Sequence, residues 1–187
     1  SSKEAFKNSF KHQLQEKFRV IENKDFHGCV VDLWVEDPNS EQQYAIYLMN
    51  KLAGLTIKQE NQLIELKHHR AQDIGRYDFL KQVEKLEKIT KGRNNIKGIA
   101  ILLTNDHLYW NPPTKSHTVD SYFRIHENRV LTGELKWLEH ASSGTMKDRE
   151  APIVIKGTYK LQWQHYSTVS NEKHGEFCYL AVHVGVD

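Results

Sequence analysis

Asp32, Glu65 and Lys67 are the residues in this chain whose types and spacing suit hydrolytic chemistry. Cleaving a phosphodiester needs a divalent cation to neutralise charge and activate water, and carboxylates are hard-oxygen ligands for it. A nearby lysine steadies the attacking hydroxide. Alternate residues of a strand share a face and neighbouring strands lie about 5 Å apart, so an acid on one strand can meet a Glu-x-Lys on another. Asp32 lies within Val30-Val31-Asp32-Leu33-Trp34-Val35, and Glu65 and Lys67 within Leu63-Ile64-Glu65-Leu66-Lys67. The triplet alone is weak evidence. Glu134-Leu135-Lys136 repeats it and reads as an ordinary exposed strand edge.

The elements that must position these side chains follow from periodicity. Ala5 to Phe18 reads as an amphipathic helix with Phe6, Phe10, Leu14 and Phe18 in one stripe, and Ser1 with Glu4 is compatible with a capping box. Arg19 to Asp25 is a polar, extended connection. Phe26 to Val35 is one strand, with Val31, Leu33 and Val35 on one face and Val30, Asp32 and Trp34 on the other. The short Asp37-Pro38-Asn39-Ser40 turn predicts an antiparallel hairpin to Tyr44–Met49, and Leu63 to Lys67 forms a later strand. Arg76 to Thr90 is the strongest helix. Ile96 to Thr104 is near-continuously apolar and reads as a central strand buried on both faces. A strand, helix, strand order predicts a parallel, right-handed crossover. Beyond Tyr122 the signals are β-like, without a second-domain boundary.

The order and several phrases resemble an uncharacterised bacterial group within the PD-(D/E)XK, or restriction-endonuclease-like, nuclease superfamily. The phrases are Val31-Asp32-Leu33-Trp34-Val35, the run from Ala71 to Leu80, Leu103-Thr104-Asn105-Asp106-His107-Leu108-Tyr109-Trp110, the run from Ser143 to Ile153, and Trp163-Gln164-His165-Tyr166-Ser167. The resemblance implies a single α/β domain over 1–187. Its core would be helix, antiparallel strands, helix, strand in a mixed central sheet, with a β-rich C-terminal elaboration. If active, such a site would use Mg²⁺ or Mn²⁺ held by Asp32 and Glu65, with Lys67 assisting the attacking water.

In that group the Glu-x-Lys lies on the strand directly after the Asp strand. Here Tyr47 and Met49 stand in those positions; 14 residues separate Asp32 from Tyr47 and 32 separate it from Glu65. Tyr and Met replace neither a carboxylate nor an ammonium. Either Glu65 and Lys67 have taken over, or the metal site is lost and the chain is a nucleic-acid-binding or protein-interaction module. An accessory role without nucleic acid is a third reading.

Gln72, Arg76, Lys81 and Lys147 are the candidate nucleic-acid contacts. Gln72 sits just before the second helix, Arg76 opens it, Lys81 lies along it, and Lys147 follows a Ser-Gly-Thr segment able to offer backbone N–H groups to phosphate. His68, His69, Arg70, Lys85, Lys88, Lys91 and Arg93 extend this basic region, offset by Asp73, Asp78, Glu84 and Glu87. A solvated helix face is the plainer account of it. Asn105 and Asp106 follow the central strand, as site or as turn.

Composition bounds the classes. The 187 residues suffice for one core, and a net charge of +2 excludes a strongly basic nucleic-acid arm. Two distant cysteines, Cys29 and Cys178, fit a reduced, cytoplasmic protein rather than a disulfide framework. Eleven histidines fall in no zinc spacing. No apolar run reaches the roughly 20 residues of a membrane span, so no membrane partner is expected; a homo-oligomer remains compatible.

Overall fold

A computed structural model describes residues 2–186. Ser1, and with it the capping-box expectation, lies outside them. Helix α1 (Ser2–Leu14) leads into β1 (Arg19–Phe26), β2 (Cys29–Glu36) and β3 (Gln43–Lys51). A separate hairpin of β4 (Leu55–Gln59) and β5 (Gln62–Leu66) follows, then α2 (Gln72–Thr90) and β6 (Ile96–Thr104). The remainder holds β7 (Val130–Leu135), the short α3 (Ser143–Met146), β8 (Ile153–Lys160), β9 (Trp163–Thr168) and β10 (Glu176–Val184).

The main sheet is mixed and six-stranded, ordered β1-β2-β3-β6-β10-β9. Only β3 and β6 pair in parallel, from Gln43↔Ile96 to Lys51↔Thr104, and α2 supplies the crossover they need. The β7–β8 ribbon stands apart from this sheet. The expected hairpin of β2 and β3 is present, and β6 has the bounds its apolar run predicts.

The run Phe26–Val35 is not one strand. His27 and Gly28 take φ of 50 and 82, the consecutive left-handed pair of a type I′ hairpin turn. This folds the polar stretch from Arg19 back as β1, paired with β2 from Arg19↔Glu36 to Phe26↔Cys29.

Side-chain alternation also fails at Asp32. The β1–β2 ladder pairs Glu22 with Leu33 and Lys24 with Val31 but omits Asn23 and Asp32, where Asn23 takes φ 50. Val31 therefore packs with Trp34 in the cluster beneath α2, while Leu33 and Val35 pack beneath α1 with Phe6, Phe10, Leu14 and Phe18.

Strand β6 is central but not buried on both faces. Ile96, Gly98, Ala100, Leu102 and Thr104 are buried beneath α2, whereas Lys97, Ile99, Ile101 and Leu103 are only half-buried. A single helix, α1, serves that second face.

Helix α2 begins at Gln72, one turn before Arg76, because Ala71 takes a left-handed conformation (φ 64) and starts the helix without a side-chain cap. Asp73 accepts the Ile74 N–H (2.9 Å) and does not cap. The close approach of this first turn to the loop after β6 needs a glycine. A Cβ at Gly75 would overlap the Tyr109 hydroxyl and press on the Lys51 side chain. Gly75→Ala is expected to cost about 1–3 kcal/mol, the usual range for overpacking. Tyr109→Phe removes the offending oxygen, which has no hydrogen-bond partner among the described residues, and should restore most of that loss in the double variant by urea unfolding.

Candidate functional site

Asp32 sits where β2 and β3 part. Their ladder runs from Glu36↔Gln43 to Leu33↔Ile46 and stops one residue short of Asp32. Its carboxylate takes the place of a ladder carbonyl: Oδ2 accepts the Leu48 N–H at 2.8 Å. Oδ1 meets the Lys3 ammonium of α1 at 3.3 Å, and the side chain is only 15% exposed. Both oxygens are thus engaged within the fold.

Tyr47 stands beside this carboxylate on β3, buried, with a hydroxyl that finds no hydrogen-bond partner among the described residues. Burial, with the neighbouring Cys29 and Asp32, pushes its phenol well above the ordinary value of 10.0. It therefore stays protonated at neutral pH and offers a cation no anionic oxygen. Met49 is half-buried against the cluster beneath α2.

Glu65 and Lys67 are not drawn into the main sheet. Glu65 is exposed on β5, opposite Thr56 of β4, and Lys67 is exposed just after it. The return from this hairpin is fastened by histidines. The Leu52 N–H donates to His69 Nδ1 (3.1 Å), and the His69 N–H donates to the Leu52 carbonyl (2.7 Å). Burial first, then Lys51 and His68, lower the His69 pKa, which suits a neutral acceptor. Among the described residues no group of three or more His, Cys, Asp or Glu side chains could hold a metal ion.

The other expected contacts are mostly occupied. Gln72 donates to the buried Asp106 carboxylate at 2.9 Å. Arg76 is 4% exposed; it pairs with Asp120 (3.1 Å), donates to the Leu108 carbonyl (2.9 Å) and lies over the Tyr109 ring. Lys81 pairs with Glu84 at 2.6 Å. Arg93 covers Phe26 and donates to the Ile89 carbonyl at the end of α2. Lys147, just past α3, is exposed. Asn105 and Asp106 brace the fold: Asn105 bonds the Ala53 amide in both directions and the His174 carbonyl.

Sequence reasoning missed the role of the acids on α2. Glu84 does pair with Lys81 and Lys88, but Asp78, Glu84 and Glu87 together also dock the C-terminal ribbon. Glu84 accepts the Val154 N–H (2.6 Å), and Glu87 accepts the Lys156 N–H, the Gly157 N–H and the Tyr159 hydroxyl at 2.7–2.9 Å. Asp78 holds Arg149 through both carboxylate oxygens (2.6 and 2.9 Å). Carboxylates replace the strand partner that the edge of β8 lacks. The spacing Asp78, Glu84, Glu87 was visible, but nothing local ties those residues to amides some 70 positions away.

Two expectations follow. Asp32→Ala strands the Leu48 N–H and should cost about 1–3 kcal/mol by urea unfolding, whereas Asp32→Asn keeps an acceptor oxygen and should cost less than about 1 kcal/mol. For Glu84, burial alone would raise the pKa, but the Lys81 hydrogen bond and the Val154 amide outweigh it and hold the carboxyl below its ordinary 4.5. A depressed folded-state pKa stabilises the fold above the unfolded value and ceases to as pH falls through the folded one. Glu84→Gln should therefore be less stable than the wild type at pH 7, with the gap closing below about pH 4 in thermal melts. In comparisons with known proteins no family model matches this chain, and neither a curated protein nor a solved structure matches it.

Proposed function

We propose that this chain is a restriction-endonuclease-like scaffold that has lost phosphodiester hydrolysis and works as an interaction module. The element order supports the scaffold: a leading helix, antiparallel β1, β2 and β3, a crossover helix, and a parallel β6. The observation that carries the loss of hydrolysis is the engagement of Asp32 by the Leu48 N–H and Lys3, beside a buried Tyr47 where a carboxylate would stand. The second carboxylate that the resemblance implies for Mg²⁺ or Mn²⁺ has no counterpart on β3 beside Asp32, where Tyr47 and Met49 stand. Glu65 is exposed on a hairpin outside the main sheet, and Lys67 beside it. A cation at Asp32 Oδ1 would have to displace the Lys3 ammonium.

Binding without cutting fits the rest. Gln72, Arg76 and Lys81 already have protein partners, which removes three of the four phosphate contacts that the sequence suggests and leaves Lys147 as the exposed one. Calorimetric titration with Mn²⁺ is expected to show no saturable heat. Plasmid nicking by the wild type and by Asp32→Ala should be equal and at background. Mn²⁺ binding that Asp32→Ala abolishes, together with nicking that it abolishes, would restore the hydrolytic reading. Binding to a labelled duplex is expected to be weak, with a shallow salt slope, since few phosphates can be contacted.

A further inference from the structure

Strand β10 is longer than the neighbour that covers its outer edge. On its inner side it pairs with β6 from Cys178↔Thr104 to Val184↔Gly98. On its outer side the β9 ladder runs from Glu176↔Thr168 only as far as Leu180↔Trp163. The chain before β9 is held elsewhere. The Asn128 N–H donates to the Leu161 carbonyl (2.9 Å), and the Leu161 N–H donates to the Arg129 carbonyl (2.8 Å). Ala181 to Val184 therefore have β6 on one side and, among the described residues, no strand on the other. Nor does their backbone make a hydrogen bond there outside the β6 ladder.

A crevice of about 550 Å³ stands in the vacated strand position, and Ala181, Val182 and His183 all line it. Successive residues of a strand point to opposite faces, so a space that touches all three lies against the strand's edge, in the plane of the sheet. Its opposite wall is Thr158, Tyr159 and Lys160 at the end of β8, which belongs to a different sheet. The space is thus a slot between two strands. It starts at the Gln164–Tyr179 pair, near the beginning of β9, and reaches Val186.

The slot's walls define what fits. Four residues of extended chain are about 13 Å long. A row of unpaired backbone N–H and C=O groups is met fully by another extended backbone. Helices spend theirs internally. The charge has one sign: Lys160 and His183 line the slot, and no Asp or Glu does. Both are exposed, and neither has a carboxylate partner among the described residues. Glu87 of α2, which holds the Tyr159 hydroxyl, is already engaged by the Lys156 and Gly157 amides. We infer that this slot binds an extended acidic segment of a partner protein, added as a strand to the free edge of β10 from Ala181 to Val184. Main-chain hydrogen bonds hold the segment, and its carboxylates meet Lys160 and His183. This is recognition by strand addition, in which the backbone supplies affinity and flanking side chains supply preference.

The inference rests on the interaction-module reading and gives it a partner of stated chemistry. The probe is a fluorescein-labelled peptide of about eight residues, glutamate alternating with valine and threonine, enough to span the free edge with flanks. Binding to the full chain is followed by fluorescence anisotropy, and amide hydrogen exchange by NMR. Saturable binding is expected, at least tenfold weaker when lysine replaces glutamate. Two further versions carry N-methyl groups at alternate residues, one set each, and one of the two should lose binding tenfold or more. The outward amides among Ala181 to Val184 should exchange rapidly in the free chain and at least tenfold more slowly with saturating peptide. Lys160→Glu, at an exposed side chain, should weaken binding fivefold or more without moving the thermal melt. Equal binding of both methylated versions, or outward amides that the peptide leaves unprotected, would overturn the inference. So would slow exchange of those amides in the free chain, with sedimentation then showing whether a second copy covers the edge. Mn²⁺-dependent nicking would sink the loss of hydrolysis without touching peptide binding, whereas no saturable binding in a chain that does not nick would sink the slot alone.

Discussion

The parallel pairing of β3 with β6 constrains everything else in this molecule. Two strands running the same way cannot be joined by a tight turn, so the chain must travel back along the sheet between them. Helix α2 makes that journey, and its buried stripe of Phe79, Leu80, Val83, Leu86 and Ile89 seals one face of the sheet. Gly75 lets its first turn lie against Tyr109 and Lys51. Gly98 on β6 meets the Leu86 side chain, so strand and helix approach closely along the crossover.

With α2 fixed, its outer edge becomes a template. Asp78, Glu84 and Glu87 face the β7–β8 ribbon and bind its free amides and Arg149. Tyr77 adds a hydrogen bond to the Ala151 carbonyl and stacks on Trp137 at 6.1 Å. The C-terminal third is thus tied in twice, by β10 and β9 extending the main sheet and by a ribbon held on helix carboxylates. The same arrangement commits Asp78, Glu84 and Glu87 of α2 to the C-terminal third.

The other face carries the opposite consequence. Asp32 ends the β2–β3 ladder, fastens Leu48 and draws Lys3 of α1 over β2 and β3. With α1 anchored on that side, its Phe6 and Phe10 border Ile101 and Leu103 of β6, Tyr166 of β9 and Tyr179 of β10. The residue type best suited to hold a catalytic cation therefore acts as a strand clamp.

Periodicity by itself determined the two long helices, the β2–β3 hairpin, the bounds of β6 and the parallel crossover, because these depend on burial patterns and turn residues within a few positions of each other. It did not reveal the turn at His27–Gly28, since an apolar residue on each side made the run look continuous. Nor did it reveal the break in alternation at Asp32, which depends on Asn23 across the ladder. Asp32, Tyr47 and Met49 were legible as the place where hydrolysis would stand or fall, and Glu65 as the alternative. Only the tertiary structure decided that Glu65 and Lys67 lie on an exposed hairpin, that Arg76 is buried on Asp120, and that one face of β6 stays half open. Local sequence specifies which way a side chain points along its own element. What it meets there depends on strand order and helix placement, which are set by contacts between residues far apart in the chain.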